Sequence, residues 1–466
     1  MSASASAVTA AAASECPFSL SRSSVCPSVR SFASDIKCIT VTVMKLNEYK
    51  NLILDGGVDK TLSLLYKDTN AASERYVYLL DAFGKYYGED MEVRLFSAPG
   101  RTEISGNHTD HQHGRVVAAG INLDVVGVFS LNGENVIRVK SEGYDEDIID
   151  LSDLEPNEGE YGRASALIRG TVARMIRGGA EVKGFDAYTV SNVLKGSGMS
   201  SSAAFEVLIG TAVNEMFNGG KTDAVEIAKT AQYAENVYFG KPCGLMDQTA
   251  CSVGSFIAID FFDPENPIVE KLDFDLAAKG IDLCIVDCGG DHSALTGDYA
   301  AITDEMKRVS EVFGKAHLRD VPESLLFARL PEVRAAAGDR GVLRAIHFFE
   351  ENERVRKQTE ALKEGNVDDF LKLVNASGLS SEILLQNLYS PADPKNQPLL
   401  LAVELSKRIL CGRGAVRVHG GGFAGTVQAF VPHDMRDEYK ERMTAVFGEG
   451  SCHFLTVRPL GGTEIK

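Results

Sequence analysis

The stretch Gly196-Ser-Gly-Met-Ser-Ser-Ser-Ala-Ala204 sets two glycines and three serines directly ahead of an amphipathic segment. The glycines let backbone N–H groups converge with no Cβ in the way, and the serines fall where a helix starts with unsatisfied donors. Such a loop offers anion binding, phosphate above all. No Gly-Lys-Ser/Thr ending follows, so it is not a Walker A loop. The positive charge that phosphates call for must then come from elsewhere in the chain.

Three further stretches carry reactive side chains. Ser97-Ala-Pro-Gly-Arg-Thr-Glu-Ile-Ser-Gly-Asn-His-Thr-Asp-His-Gln-His-Gly114 places the cationic fork of Arg101 near Asn107, His108 and Asp110, donors and acceptors suited to hydroxyl groups. The same run also reads as a polar turn after Pro-Gly. Zinc on His108, His111 and His113 lacks a neighbouring Cys or Glu cluster. Gly240-Lys-Pro-Cys-Gly-Leu-Met-Asp-Gln248 sets Asp247 among apolar residues, where a carboxylate needs a partner, or where it caps a helix. Glu235, just upstream, fits a solvated helix face equally well. His419-Gly-Gly-Gly-Phe-Ala-Gly425 is by itself a hairpin or bulge.

The elements that must hold these groups read as an α/β mixture. Strands are expected at Glu92 to Ser97, Val116 to Leu131, Ala187 to Leu194, Ser255 to Phe262, Ile281 to Cys288, Ala415 to Val418, Val427 to Val431 and His453 to Val457. Helices are expected at Ala203 to Phe217, capped by Ser201 or Ser202, and at Thr222 to Tyr238, capped by Thr222. Two more fall at Tyr299 to Phe313 and Val342 to Glu364, and the Pro-bearing run Tyr389 to Gln397 reads as a loop.

With 466 residues, 44% hydrophobic, the chain can bury a large core. A formal net charge of -17 and no Lys/Arg cluster argue against nucleic acid or an anionic membrane as partner and favour small molecules. No apolar run is long enough to span a bilayer. The nine cysteines show no zinc-knuckle spacing and fit reduced thiols in a cytoplasmic protein. Residues 1–43 are Ser- and Ala-rich, with only Glu15 and Asp35 against Arg22, Arg30 and Lys37. They read as a disordered extension, either a transit peptide or sequence ahead of a start at Met44. Beyond it, a domain over 44–265 carrying the signature and the phosphate loop and a second over 266–466 are expected.

Taken in order, the four stretches resemble the GHMP kinases and, within them, the galactokinases, over about residues 85 to 460. Ala98 to Asp110 resembles the galactokinase signature, Gly196 to Ala204 the phosphate loop, Cys243 to Gln248 the catalytic-Asp motif and Gly420 to Gly425 the third motif. The resemblance implies a two-domain α+β fold with mixed sheets and an active site in the cleft between the domains. It implies transfer of the γ-phosphoryl group of ATP to the C1 hydroxyl of galactose by a monomer. Gly196, Ser197, Gly198, Met199, Ser200, Ser201 and Ser202 would hold the ATP phosphates, and Ser202 with Glu235 would ligate Mg²⁺, whose preference for sparse oxygen coordination they suit. Asp247 and Arg101 would be catalytic, with Asn107, His108, Thr109, Asp110, Gly244 and Tyr299 around the sugar.

Departures from the family pattern bear on the sugar. Gly-Glu-His-Thr-Asp-Tyr is replaced by Gly106-Asn-His-Thr-Asp-His111, Arg-Val-Asn by Arg101-Thr-Glu103, and Ser-His-x-Ser-Leu by Ser377-Gly-Leu-Ser-Ser381. An amide in place of a carboxylate loses the charge-assisted bond to a hydroxyl. A kinase for N-acetylgalactosamine or arabinose therefore stands as an alternative, with a catalytically silent ATP-and-galactose sensor as a third reading.

Overall fold

Burial runs almost unbroken along two long strands, β2 (Glu92–Ser105) and β3 (Arg115–Leu131), which pair antiparallel and organise the larger sheet. The computed structural model describes residues 43–194, 198–289 and 295–466. Among them, nine strands form this sheet: β1 (Met44–Lys45), β2, β3, β4 (Val136–Ser141), β5 (Glu146–Asp150), β6 (Phe185–Ser191), β7 (Phe256–Asp260), β8 (Ile268–Leu272) and β13 (Thr463–Glu464). The main order is β1-β2-β3-β6-β4-β5, and only β4 and β6 run parallel. β3 is long enough to pair with β6 through Val125 to Leu131 and with β7 through Arg115 to Ala119, so the sheet branches there. A second sheet, all antiparallel in the order β10-β11-β9-β12, is built from β9 (Ile281–Asp287), β10 (Ala415–Val418), β11 (Thr426–Pro432) and β12 (Cys452–Leu455).

Helices cover both sheets. α1 (Leu46–Leu54), α2 (Asp59–Leu65) and α3 (Thr69–Tyr87) bury Leu62, Tyr76 and Phe83 against Leu95 and Val128 on one face of the larger sheet. α4 (Ala164–Arg177), α5 (Ser201–Phe217) and α6 (Ala224–Tyr233) contribute Ile168, Val207 and Ile227 to a core that also holds Phe96 and Phe129. α7 (Met246–Val253) packs Met246 and Ala250 on Val116 and Ala118. α8 (Thr296–Val312), α9 (Glu323–Ala328) and α10 (Leu330–Lys363) form a helical layer around Met306, Leu326 and Phe348. α11 (Val367–Ser380) adds Phe370 and Val374 to the core that joins Phe96 to Ile285 and Phe430 of the second sheet. α12 (Pro398–Leu410) and α13 (Arg436–Phe447) cover that sheet's other face. Burying apolar surface at roughly 25 cal/mol per Å² makes these shared cores the main source of stability.

The α+β class matches expectation, and contacts make residues 43–466 one compact unit. The expected boundary between 265 and 266 lies in the β7–β8 hairpin, and both β1 and β13 pair with β2, so both ends of the unit 43–466 contribute to the larger sheet. The helix expected over Thr222 to Tyr238 is α6 followed by a π-helical turn, Ala234–Tyr238, and its cap is Asp223, whose side chain accepts from Glu226 N. α10 starts well before Val342, with a break at Gly338, where φ of 75° suits a residue without Cβ. Among the described residues no helix is long and apolar enough to cross a membrane.

Candidate active site

The phosphate-type loop enters α5 through two left-handed residues, Gly198 (φ 71°) and Ser200 (φ 58°). Gly196 and Ser197 lie outside the described residues. Ser200, not Ser201 or Ser202, is the N-cap residue of α5, and its side chain makes no capping bond. Ser200 Oγ instead donates to Asp247 Oδ2. The first-turn N–H groups of α5 therefore face the loop without a side-chain cap, and the helix dipole adds partial positive charge there.

Arg101 locks this loop to β2. Its backbone N donates to Met199 O at 3.1 Å and its Nη1 donates to Gly198 O. Gly100 permits the approach, since a Cβ there would lie 2.8 Å from Met199 O. The guanidinium then reaches Asp247, with Nε 2.8 Å and Nη2 2.6 Å from Oδ1. Asp247 sits in the first turn of α7 behind Leu245, the N-cap residue, so the capping role open to it in the sequence is not the one it takes. A third of its side chain stays exposed while Arg101 is buried.

A second carboxylate cluster lies beside Ser202. Glu235, on the π-helical turn, is buried, in contrast to the solvated helix residue the sequence allowed; π-bulges often mark functional positions. Its Oε1 is 3.4 Å from Ser202 Oγ and 2.9 Å from Lys241 Nζ, and its Oε2 accepts from Gln248 Nε2 at 2.7 Å. Gln248 Nε2 also lies 3.4 Å from Oε2 of the buried Glu206, whose Oε1 has no partner. Burial first, and the charge of Glu235 second, push the Glu206 carboxyl well above its usual range. Glu206 was missed in the sequence, although it follows Ser202 by four residues and so shares its face of α5.

The signature loop closes the other side. Burial pushes the Asp110 carboxyl up, opposed by His108, and its Oδ2 abuts Gly244, where an added Cβ would come within 2.4 Å. His108 Nε2 donates to Gly421 O at 2.9 Å. Tyr299 OH donates to Gly422 O at 2.8 Å, and its ring lies near Gly421, where a Cβ would meet it at 2.5 Å. Asn107 Nδ2 donates to Gly420 O at 2.7 Å and to Glu103 Oε1 at 3.0 Å, while its Oδ1 accepts from Asn387 Nδ2 at 2.8 Å. Three successive carbonyls of the Gly-rich stretch are thus held by residues expected around a sugar.

Two of those expectations change. The Asn107 side chain, fully buried and engaged at both ends, is a bolt between loops, not a free hydroxyl contact. Thr109 is buried as well, with Oγ1 2.9 Å from Gly106 O and 2.7 Å from Arg115 O, which folds the loop on itself. Glu103, noted only as a departure from the family pattern, pairs with the fully buried Arg417 at 2.8 Å. His108, Asp110 and Gly244 remain close together. Among the described residues no cluster of three or more His, Cys, Asp or Glu is placed to hold a metal on its own.

Residues 166–255 match the GHMP kinases N terminal domain and residues 81–131 the galactokinase galactose-binding signature, so both loops fall within matched segments. The chain is 30% identical over 358 residues to a galactokinase of Streptomyces coelicolor, covering 75% of this chain and 87% of the relative. It is 31% identical over 366 residues to a galactokinase of Actinobacillus pleuropneumoniae, covering 78% and 91%. The crystal structure of Lactococcus lactis galactokinase complexed with galactose superposes with a TM-score of 0.71 at 23% identity, over 84% of this chain and 99% of that one. The chain belongs to the galactokinase family.

Proposed function

We propose that this chain transfers the γ-phosphoryl group of ATP to the C1 hydroxyl of galactose, giving α-galactose 1-phosphate and ADP. The observation that carries the reading is the placement of Asp247, held by Arg101 and Ser200 at the open start of α5 and near Asp110 on the sugar side. The likeness to relatives that are galactokinases supports galactose as the acceptor.

In this reading the α5 N-terminus with Gly196 to Ser202 receives the ATP phosphates. Asp247 accepts the C1 hydroxyl proton or orients that hydroxyl for in-line attack. Arg101 keeps Asp247 ionised and offsets charge on the transferred group. Asp110, His108 and the Gly244 backbone bind sugar hydroxyls, while Asn107, Thr109 and Tyr299 hold the walls in place.

Ser202 and Glu235 would hold Mg²⁺. The donor set fits, because two carboxylates, Glu235 and Glu206, converge on Gln248 Nε2, Lys241 pairs with Glu235 alone, and Glu206 Oε1 is left unpaired. Mg²⁺ favours a few hard oxygen ligands plus nucleotide oxygens and supplies charge neutralisation at the phosphates. The six cysteines among the described residues are free thiols, which suits a cytoplasmic enzyme, and we take the working form to be a monomer.

Sugar-dependent ADP release by protein starting at Met44 tests the reading. Turnover on galactose supports it. Turnover only on arabinose or N-acetylgalactosamine transfers the assignment to a relative, and binding of ATP and galactose with no product makes the chain a sensor.

A further inference from the structure

Lys241 occupies the stretch Gly240-Lys-Pro-Cys-Gly244 that leads into α7. Its Nζ donates to Glu235 Oε1 at 2.9 Å, and Ser202 Oγ lies 3.4 Å from that same oxygen. The ammonium is thus one carboxylate oxygen away from the first turn of α5. The pair is lopsided: the Glu235 side chain is 3% exposed and that of Lys241 is 63% exposed. A four-carbon stem in solvent turns freely, whereas its partner is fixed by Gln248. Behind it lies the buried Glu206, whose Oε1 has no partner. The loop itself lacks the Gly-Lys-Ser/Thr ending that would bring a lysine to the phosphates.

We propose that Lys241 is a phosphate-binding residue of this site, which neutralises Glu235 in the nucleotide-free protein and turns onto the β- and γ-phosphate oxygens when a divalent cation takes Glu235. Every charge then has a partner in both states. Without nucleotide the ammonium serves Glu235. With it, the cation serves Glu235 and the ammonium serves the phosphates, where lysine acts as a compact point charge. The inference rests on the ATP-dependent reading of the site.

The proposal predicts two effects of opposite sign in Lys241→Met. Mn²⁺ added alone to the nucleotide-free full chain binds more tightly, by about threefold or more, because its competitor for Glu235 is gone. MgATP measured by calorimetry without sugar binds about tenfold or more weakly, the loss expected for one charge-assisted hydrogen bond. Lys241→Arg, which keeps the charge, returns MgATP affinity to within about threefold of the parent. A purely structural lysine would move both affinities the same way, and that result overturns the proposal. So does MgATP binding by Lys241→Met at the parental level. If the parent turns over sugar while Lys241→Met binds both ligands unchanged, only the lysine assignment falls; if the parent itself neither binds MgATP nor releases ADP, the kinase reading falls with it.

Discussion

Arg101 directs two nitrogens, Nε at 2.8 Å and Nη2 at 2.6 Å, onto one oxygen of Asp247, Oδ1, and leaves Oδ2 to Ser200. The carboxylate is held in one orientation, with about a third of its side chain exposed. Asp247→Asn keeps the shape but cannot accept a proton and loses its attraction to the guanidinium. Turnover should fall about 10²- to 10⁴-fold in a coupled ADP-release assay, while the fold survives at a lowered thermal midpoint, because the buried Arg101 loses its charged partner. Activity near the parental level would remove Asp247 from its proposed role.

The pair Glu103–Arg417 is buried on both sides, and Glu103 also accepts from Asn107. The family pattern has an amide at the first position and a carboxylate at the second, so this chain has exchanged them. Glu103→Asn should destabilise the protein by about 3 to 5 kcal/mol, because Arg417 is left as a buried unpaired charge. Asn107→Glu alone should also destabilise, by bringing a second carboxylate against Glu103. The double exchange should recover part of the loss, so that urea denaturation shows the two changes to be non-additive by about 1 kcal/mol or more. Simple additivity would mean that the two positions are not coupled.

The roles of Arg101, Asp247, Ser202 and Glu235 were implied by the resemblance to the family, and the structure brings Arg101 to Asp247 and Ser202 to Glu235. The strands Ala415 to Val418 and Val116 to Leu131 were legible because their residues are mostly apolar. What the sequence did not show was the direction of side chains in loops. Asn107 reads as a hydroxyl contact until Asn387, 280 residues away, is seen to occupy its oxygen. Ser200 is the N-cap residue of α5 yet makes no capping bond, because Asp247 takes its hydroxyl, a contact 47 residues distant. Composition did not fix the division expected at 265, and it carries no information about β13 returning to β2.

Gly244 has no side chain at a point where the Asp110 carboxylate presses on its Cα. A Cβ there would lie 2.4 Å from Oδ2, so Gly244→Ala must displace the carboxylate. A displacement of about 1 Å in a positioning group can cost about 100-fold in efficiency. The loss should appear as a raised KM for the sugar and a lowered kcat/KM, with MgATP affinity by calorimetry unchanged, since the phosphate side is untouched. Equal losses for sugar and MgATP would show that Gly244 supports the whole site and not the sugar side alone.

Acid should unfold this protein in two overlapping steps. His347 is fully buried and neutral, with Nε2 donating to Asn107 O at 3.0 Å and Nδ1 accepting from Ser380 Oγ at 2.8 Å; burial pushes its imidazole down to about 4. Burial likewise pushes His111 down to about 3. The unfolded chain takes up these protons first, so the stabilisation is present above about pH 6.5 and is lost as pH falls toward 4. Glu351 has the opposite chemistry and the same sign. Burial alone would raise it, but Arg354, His347 and Arg417, with hydrogen bonds from Ser105, Gly106 N and Ser377, hold it down at about 2. Its contribution is present above about pH 4.5 and lost as pH falls toward 2. Denaturation at a series of pH values should show stability falling by on the order of 3 kcal/mol or more between pH 6.5 and 4. His347→Gln should flatten the upper part of that fall and leave the part below pH 4.5 in place. A variant whose profile runs parallel to the parent across pH 4.5 to 6.5 would mean that His347 does not set the acid limit.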